Sequence, residues 1–394
     1  MPLALFALTI AAYAIGTTEF VIVGLLPTVA TDLAVTLPMA GLIVSVYALG
    51  VTFGAPILTA LTGGMNRKSL MLGLMGLFII GNAIAALSPS YELLLVARVI
   101  SAFAHGVFFS VGATTAADLV PEDRRASAIA MMFMGLTVAI VTGVPLGTFI
   151  GQMFGWRATF WGVALLGVIS FVGIAALLPA NLKRGEAAGL GDQLRVLGSG
   201  RLLIVYGMTA LGYGGTFVAF TYLSAILQEI TGFTESSVSL ILIFYGVAIA
   251  IGNLAGGKLA NRNPIRALTG LFILQAAVLV LFSFAVISPI ATIATLGALG
   301  FLQFANVPGL QLYVVKLAKQ HRPNGVDVAS ALNIAAFNLG IALGAWIGGQ
   351  IVASSLGLVA TPWIGAILVV VALGLTVLSG SLDRRHEISL QPAR

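Results

Sequence analysis

Long apolar runs alternate with short polar or turn-rich breaks along the chain. Twelve runs are each long enough to cross a bilayer, which takes roughly 20 apolar residues. They lie near residues 3–30, 38–62, 69–88, 93–119, 126–150, 158–179, 201–228, 236–257, 265–286, 289–317, 326–353 and 361–380. None shows the alternating pattern of a membrane barrel strand, and an open sheet cannot satisfy its backbone in lipid. The pattern therefore predicts an all-α membrane protein with 12 transmembrane helices.

Composition and charge placement agree with this pattern. Hydrophobic residues make up 59% of the 394 residues and charged residues only 8%, against roughly a quarter in soluble domains. Of the 19 Lys and Arg residues, all but Arg98 and Arg157 lie in alternate breaks or in the terminal segment. The positive-inside rule places these breaks in the cytoplasm, and an even number of spans places both termini there. This placement explains the net charge of +6 without a nucleic acid, so no nucleic-acid partner is expected.

The longest polar break divides the chain into two halves. We predict an N-terminal six-helix half (1–180), a cytoplasmic linker (181–200), a C-terminal six-helix half (201–380) and a cytoplasmic tail (381–394). Two motifs of the first half recur in the same order in the second. YALGVTFG at 47–54 matches YGVAIAIG at 245–252, and GVPLGTFIGQ at 143–152 matches GIALGAWIGGQ at 340–350. Secondary transporters consist of such related halves around a midplane site, so the expected mechanism is alternating access.

One acidic side chain, Glu19, stands in the middle of the first run, in GTTEFVIVGLLP at 16–27. A charge at mid-membrane costs several kcal/mol unless it is neutralised, paired or hydrated, so it indicates a functional site. In the fourth run, Arg98 and His105 lie on one helical stripe, roughly 10 Å apart along the axis. Two interpretations are open: a fixed Glu19–Arg98 ion pair joins two helices, or Glu19 exchanges its proton while Arg98 or His105 tunes its proton affinity. His105 could also be a buried hydrogen-bonding histidine.

Polar and aromatic side chains inside other runs are candidates for a substrate cavity. They are Tyr47, Phe109, Tyr213, Phe217, Gln303, Asn306, Gln311, Asn333 and Asn338. Amides buried in a membrane need partners, so about half of them could instead bridge helices. Asn306 and Asn338 rank highest because each lies mid-run among small residues. The aromatic rings could stack on a substrate or simply pack, whereas Trp156 and Trp161 are predicted to anchor the chain at the membrane interface.

Two loop motifs resemble the cytoplasmic signature of the major facilitator superfamily. GGKLANR at 256–262, followed by Arg266, is similar to that signature, with Asn261 where the family usually has Asp. The equivalent loop of the first half keeps GMNRK at 64–68, with Gly63 at the position of the family's Asp.

Motifs within the runs resemble the same family. Arg98 with AFAHG at 102–106 is similar to its intramembrane arginine motif, and Gly143, Pro145 and Gly147 are similar to the antiporter motif of its drug and sugar exporters. GTTEF at 16–20, GWRATFW at 155–161, NVPGLQ at 306–311 and SALNIAAFNLG at 330–340 resemble its twelve-span proton antiporter branch, especially arabinose-efflux-permease-like and chloramphenicol-resistance-like exporters. The resemblance covers nearly the whole chain.

The resemblance implies the major facilitator fold, a monomer and a bacterial inner (plasma) membrane. It also implies that the antiporter motif favours exchange over leak, although the same residues could form a simple packing kink. A cytoplasmic gate is expected from Arg67, Lys68, Asn261, Arg262 and Arg266. Cytoplasmic basic residues also contact anionic lipid, which is the alternative for this group.

The function predicted from these observations is proton-coupled antiport that exports a small organic molecule, such as a drug, sugar or nucleoside. Proton symport for uptake is the alternative, and an intramembrane enzyme or a channel is a remote one. The chain has no GxxxxGK[ST] pattern and only three histidines, so neither nucleotide hydrolysis nor a metal centre is expected. The expected partners are the substrate, protons and membrane lipid, with no cofactor beyond the proton gradient.

Overall fold

Among the residues that the computed structural model describes, twelve helices are long and apolar enough to cross a membrane. It describes residues 2–62, 64–121, 124–180, 182, 190–322 and 325–390, and these contain no strand. The prediction of an all-α membrane protein with 12 transmembrane helices is confirmed. Part of the predicted linker, namely residues 181 and 183–189, lies outside the described residues, as do residues 391–394 of the predicted tail.

The first six transmembrane helices begin and end close to the predicted runs. They are α1 (Leu3–Asp32), α2 (Leu37–Thr62), α3 (Arg67–Leu87), α4 (Tyr91–Asp118), α5 (Arg125–Val138, continued by Ala139–Gly143 and Val144–Phe154) and α6 (Trp156–Leu177). Asn66 and Ser90 cap α3 and α4, because their side chains accept hydrogen bonds from first-turn amides. The middle segment of α5 is π-helical just before Pro145, which has no N–H for the α-helical ladder.

The last six helices include two that are interrupted. They are α7 (Gly200–Phe220, continued by Leu223–Ala225 and Ile226–Ile230), α8 (Glu235–Arg262), α9 (Pro264–Ala285), α10 (Pro289–Ala305 and Val307–His321), α11 (Val326–Ala353) and α12 (Thr361–Leu390). Asn306 interrupts α10, where Pro308 near the start of the second segment removes a backbone donor. A short helix, Leu190–Leu197, precedes α7.

The same helix pairs pack together in the first and the last six helices. α1 packs on α5 and α6, α2 packs on α4, and α3 packs on α4 and α6. In the same way, α7 packs on α11 and α12, α8 on α10, and α9 on α10 and α12. This repeat is what two related halves would produce, although the boundary at 181–200 stays a prediction. We call α1–α6 the N-terminal half and α7–α12 the C-terminal half.

The two halves contact each other mainly through α2 with α11 and α5 with α8. On α2, the Ser45 hydroxyl donates to the carbonyl oxygen of Ala342 at 3.0 Å, and the Thr52 hydroxyl donates to that of Ala335 at 3.3 Å. We call the end of the bundle with the Arg67 loop the basic end, and the other the opposite end. Because α2 begins at the opposite end, Ser45 holds the halves together on that side.

Tyr222 fills the junction between the halves at the opposite end. Its hydroxyl donates to the Ala345 carbonyl oxygen on α11 at 3.0 Å. The same hydroxyl lies where a Cβ atom on Gly41 of α2 would be, so a larger residue at Gly41 would displace it. Nearby, the Ser224 hydroxyl donates to the Gly24 carbonyl oxygen of α1 at 3.3 Å. The opposite end is therefore closed by direct contacts among α1, α2, α7 and α11.

Trp156 is not the interface anchor that the sequence predicted. It is only 1% exposed, and its Nε1 donates to the Asp32 carboxylate at 2.9 Å. Arg157 forms an ion pair with Asp32, donates to the Ser88 carbonyl oxygen at 2.8 Å and lies over the Trp156 ring at 4.2 Å. These contacts tie α1, α3 and α6 together at the opposite end. Trp161 is 48% exposed, which fits the predicted anchor.

The contact between α2 and α11 can be tested by cross-linking, because the chain contains no cysteine. The Ser45→Cys/Ala342→Cys double variant should form a disulfide under mild oxidation, since the side chain of Ser45 contacts the backbone of Ala342. The matched control is Ser45→Cys/Leu343→Cys, because Leu343 is 38% exposed and lies one residue further round α11. Cross-linking should be several-fold faster in the first variant; equal rates would contradict the described closure.

Candidate functional site

Glu19 lies in the middle of α1 and faces a small cavity between the two halves. The side chain is 8% exposed, and no donor among the described residues hydrogen-bonds to its carboxylate. The cavity measures about 10 Å³, which is about the space that one water molecule needs. Its walls are Glu19, Phe20, Val23, Val44, Tyr47, Ala48, Phe217 and Ile341. Because Phe217 and Ile341 come from α7 and α11, both halves line the cavity.

Arg98 of α4 is fully buried without an anionic partner. Its Nη1 donates to the Thr18 carbonyl oxygen at 2.8 Å and to the Thr18 hydroxyl at 3.3 Å. Its guanidinium carbon lies 3.9 Å from the centre of the Tyr47 ring, within the range of a cation–π contact. Its Nε and Nη2 have no hydrogen-bond partner. No ion pair joins Arg98 and Glu19, whose charged atoms lie more than 4.0 Å apart, so the interpretation of a fixed pair is wrong.

His105 is bound to the same tyrosine. The Tyr47 hydroxyl and His105 Nδ1 lie 3.0 Å apart, within hydrogen-bond distance, and the two rings have centres 5.7 Å apart. His105 also makes an edge contact with Phe109 at 5.1 Å. Glu19, Arg98 and His105 are the only buried acidic or basic side chains among the described residues. The structure therefore brings the three predicted proton-coupling residues together around Tyr47, while their roles stay predictions.

A cluster of aromatic rings continues from the cavity into the C-terminal half. Phe217 lies 6.4 Å from Phe20 of α1 and 5.1 Å from Tyr213, measured between ring centres. Tyr213 in turn contacts Phe304 at 5.6 Å and Phe337 at 5.0 Å. Of the aromatic candidates, Tyr47 and Phe217 line the cavity and Tyr213 lies one ring behind it. Phe109 is instead packed inside the N-terminal half, between His105 and Phe133.

Three of the amide candidates bridge helices. Asn306 donates to Gln275 at 2.8 Å, and Gln275 donates to the Gly212 carbonyl oxygen at 2.8 Å, which ties α10 and α9 to α7. Asn333 donates to Gln311 at 2.9 Å and accepts from the Thr209 hydroxyl at 2.7 Å. These contacts are the helix bridges that the sequence left open as the alternative to substrate binding.

Two other amides have an atom without a hydrogen-bond partner, as Asn306 also has at its Oδ1. Gln303 accepts a hydrogen bond from the Tyr245 hydroxyl, and its Nε2 has no partner. Asn338 donates only to the Ile334 carbonyl oxygen of its own helix, at 3.1 Å, and its Oδ1 has no partner. Asn338 lies one turn before Ile341, which lines the cavity. Of the predicted amides, Asn338 is thus the best placed for a ligand.

The residues of the antiporter motif bring α5 close to α1. A Cβ atom on Gly143 would overlap the Thr17 hydroxyl, and one on Gly147 would lie 2.6 Å from a Val21 methyl group. The predicted bend takes the form of the π-helical segment before Pro145. The packing alternative therefore has direct support, and the role of the motif in exchange stays a prediction.

The predicted gate residues lie at the basic end. Within the N-terminal half, Arg67 donates to the Thr114 hydroxyl and lies 3.8 Å from the Asp118 carboxylate. Lys68 is half-buried in the first turn of α3. Asn261, Arg262 and Arg266 are exposed around the turn between α8 and α9. The contacts described for Arg67 stay inside its own half, and closure of this end by the five residues remains a prediction.

Sequence analysis missed three polar residues next to the site. The Thr18 hydroxyl donates to Asn82 at 2.6 Å, and Asn82 donates to a carbonyl oxygen of its own helix, α3. Gln275 holds Asn306, as described above. Asn82 and Gln275 are single amides within apolar runs, which is the signal that identified the amides of α10 and α11. A search of every apolar run for single amides would have found both Asn82 and Gln275.

Comparison with known proteins gives the family. The family model of the Major Facilitator Superfamily matches residues 8–327. The chain is 58% identical over 351 residues, 89% of each chain, to the uncharacterized MFS-type transporter YtbD of Bacillus subtilis. It is 38% identical over 272 residues, 68% of this chain and 69% of the relative, to a chloramphenicol resistance protein of Streptomyces lividans.

A solved structure agrees on the fold. The crystal structure of a bacterial homologue of the human lysosomal transporter Spinster, inward-facing and occupied, superposes with a TM-score of 0.75 at 16% identity and covers 96% of both chains. This likeness confirms the predicted major facilitator fold. Twelve apolar helices and bacterial transporter relatives together indicate a multi-pass protein of the bacterial inner membrane.

The two kinds of amide should respond differently to substitution. Asn306→Ala leaves the buried oxygen of Gln275 without its donor and should lower the free energy of unfolding by about 1 kcal/mol. Asn338→Ala removes only a bond within one helix, so stability should stay within about 0.5 kcal/mol of wild type. Thermal unfolding of the detergent-solubilised variants measures both. A larger loss for Asn338→Ala than for Asn306→Ala would contradict these assignments.

Proposed function

The chain belongs to the major facilitator superfamily, and we propose that it exports a small organic molecule in exchange for protons. Members of this family are transporters, so the chain is a secondary transporter rather than an enzyme. The observation that carries the proposal of proton coupling is Glu19, a buried carboxylate without a hydrogen-bond partner among the described residues, in a cavity lined by both halves. A single carboxylate in that place can hold either a proton or a polar group of the substrate.

The exchange cycle follows from this competition. Glu19 takes up a proton from one side of the membrane, and the proton reduces its attraction for a polar substrate. Substrate binding on the other side is favoured once the proton has left. Because the cavity lies between the halves, opening it alternately at each end exposes Glu19 to each side in turn. The proton gradient is then the energy source, and no other cofactor is required.

Two observations support export rather than uptake. The Gly143, Pro145 and Gly147 motif resembles that of exporters, and the relative from Streptomyces lividans is named for chloramphenicol resistance. For orientation, we propose that the basic end faces the cytoplasm, as the positive-inside rule indicates. The substrate then leaves through the opposite end. A drug, a sugar and a nucleoside are the substrate classes to be tested, and a monomer is the proposed functional unit.

Glu19→Gln provides the test of proton coupling. In inverted membrane vesicles with an imposed pH gradient, chloramphenicol, arabinose and purine nucleosides are added in turn, and dissipation of the gradient is recorded. Wild-type protein should dissipate the gradient with its substrate. Glu19→Gln should bind that substrate but lose proton-coupled transport by at least tenfold, because an amide cannot release a proton at this site.

Glu235→Gln is the matched control. It makes the same change at an exposed residue at the start of α8 and should behave like wild type. Antiport moves protons in the direction opposite to the substrate, whereas symport moves them in the same direction. The sign of the pH change in the vesicle lumen therefore distinguishes the two. Unchanged proton-coupled transport in Glu19→Gln would refute the role of Glu19, and His105 would be the next residue to examine.

A further inference from the structure

Tyr47 contacts or faces each of the three buried ionisable residues. Its ring lies under the Arg98 guanidinium at 3.9 Å, its hydroxyl is 3.0 Å from His105 Nδ1, and it lines the cavity beside Glu19. The sequence predicted Tyr47 only as a substrate-binding residue. Tyr47 contacts Arg98 through its ring and His105 through its hydroxyl, and a residue that only binds substrate would need neither contact. Its position in the structure therefore indicates a different role.

The helix that carries Tyr47 also holds the two halves together. Ser45 and Thr52 of α2 bond to α11, and they lie two turns apart on one face. Tyr47 lies roughly 160° around the helix from Ser45, on the face toward α4. The cavity residues Val44 and Ala48 lie between these two faces. α2 therefore contacts the buried charges on one side and the other half of the protein on the opposite side.

Tight packing makes α2 move as a unit with its contacts. A Cβ atom on Gly50 would lie 2.7 Å from the Ala102 methyl group of α4, and one on Gly106 of α4 would lie 2.5 Å from that of Ala55. Such close approach leaves little room for small shifts to be absorbed between the helices. A displacement of the Tyr47 ring would therefore tilt α2 relative to α11.

The charge of Glu19 can act on the Tyr47 ring through Arg98, because the Arg98 guanidinium contacts that ring. Arg98 is held by Thr18 and by the ring, while its Nε and Nη2 are without a partner. An ionised Glu19 competes with the ring for the guanidinium, because a carboxylate is the stronger partner for those free donors. A protonated Glu19 does not compete, so Arg98 stays stacked on Tyr47.

We propose that Tyr47 is a positioning residue that couples the charge of Glu19 to the contact between α2 and α11. With Glu19 protonated, Arg98 remains on the ring and the opposite end stays closed. With Glu19 ionised, the stack breaks and the closure of α2 on α11 weakens. This inference deepens the proposed exchange of protons for substrate and rests on it.

Few other titratable groups face Glu19. Tyr47 comes from α2, Arg98 and His105 come from α4, and Tyr213 comes from α7. Among the described residues, α5 and α11 contribute no buried acidic or basic side chain to this region. A response to pH inside the bundle therefore depends on Glu19 and His105, which Glu19→Gln and a His105→Gln variant separate.

The experiment measures the distance between spin labels at the opposite end, with no substrate present. Met39→Cys and Ser354→Cys place labels at exposed positions near the ends of α2 and α11, in a chain that has no other cysteine. Pulsed electron resonance is recorded on the full chain in lipid nanodiscs from about pH 6 to about pH 9. Labels are attached beforehand, so thiol chemistry does not vary with pH.

The wild-type distance should lengthen as pH rises, and Glu19→Gln should keep the short distance throughout. His105→Gln should still lengthen, since Glu19 is intact. Tyr47→Leu should lose the pH response although Glu19 is present. Tyr47→Phe should keep it, because the ring remains under Arg98, which also shows that substitution at this position does not simply unfold the chain.

Four results would overturn the inference: no pH response in wild type, a wild-type response in Glu19→Gln, a wild-type response in Tyr47→Leu, or no response in Tyr47→Phe. Each of these is compatible with proton-driven export, which the vesicle experiment measures independently. Conversely, the expected distances in a chain without proton-coupled transport would refute the proposed function and leave the coupling of Tyr47 intact.

Discussion

The burial of the Arg98 charge is the constraint on which the candidate site depends. A guanidinium keeps its proton in proteins, and a buried cation without compensation costs several kcal/mol. Thr18 offers only dipoles and the Tyr47 ring only its quadrupole, and neither carries a negative charge. Glu19 is the buried acid that can balance the charge, and it lies near Arg98 without forming an ion pair. A protonated carboxyl group held in this way can release its proton without first breaking a salt bridge.

Packing elsewhere separates what is rigid from what can move. Within the N-terminal half, glycines bring α2 against α4 and α5 against α1 so closely that an added methyl group would not fit. Between the halves, the α2–α11 contact includes hydrogen bonds from Ser45 and Thr52 to backbone carbonyl groups. In a membrane such bonds are worth about 0.6 kcal/mol each. These bonds are weak enough to change when the halves move, although Gly41 and Gly246 also pack closely across the interface, against Tyr222 and Val141.

The sequence predicted the fold and the charged residues of the site because both follow from the cost of polar groups in lipid. Long apolar runs had to be helices, and Glu19 and Arg98 had to face the interior of the bundle. It could not predict which polar groups pair with each other, since pairing depends on how helices rotate and approach. Trp156 was therefore assigned to the interface, although Asp32 and Arg157 hold it inside. For the same reason, Asn306 ranked as a cavity residue, although Gln275 binds it.

The size of the cavity links the site to the movement of the halves. About 10 Å³ beside Glu19 holds one water molecule, whereas pockets for small organic ligands measure roughly 300–1,000 Å³. A substrate beside Glu19, as proposed, therefore needs space that forms when the walls of this cavity separate. Phe217 and Ile341 belong to one half, and Glu19 and Tyr47 to the other. Under the proposed function, the separation that admits a substrate would also hydrate Glu19, so access for the substrate and access for the proton would arise from the same movement.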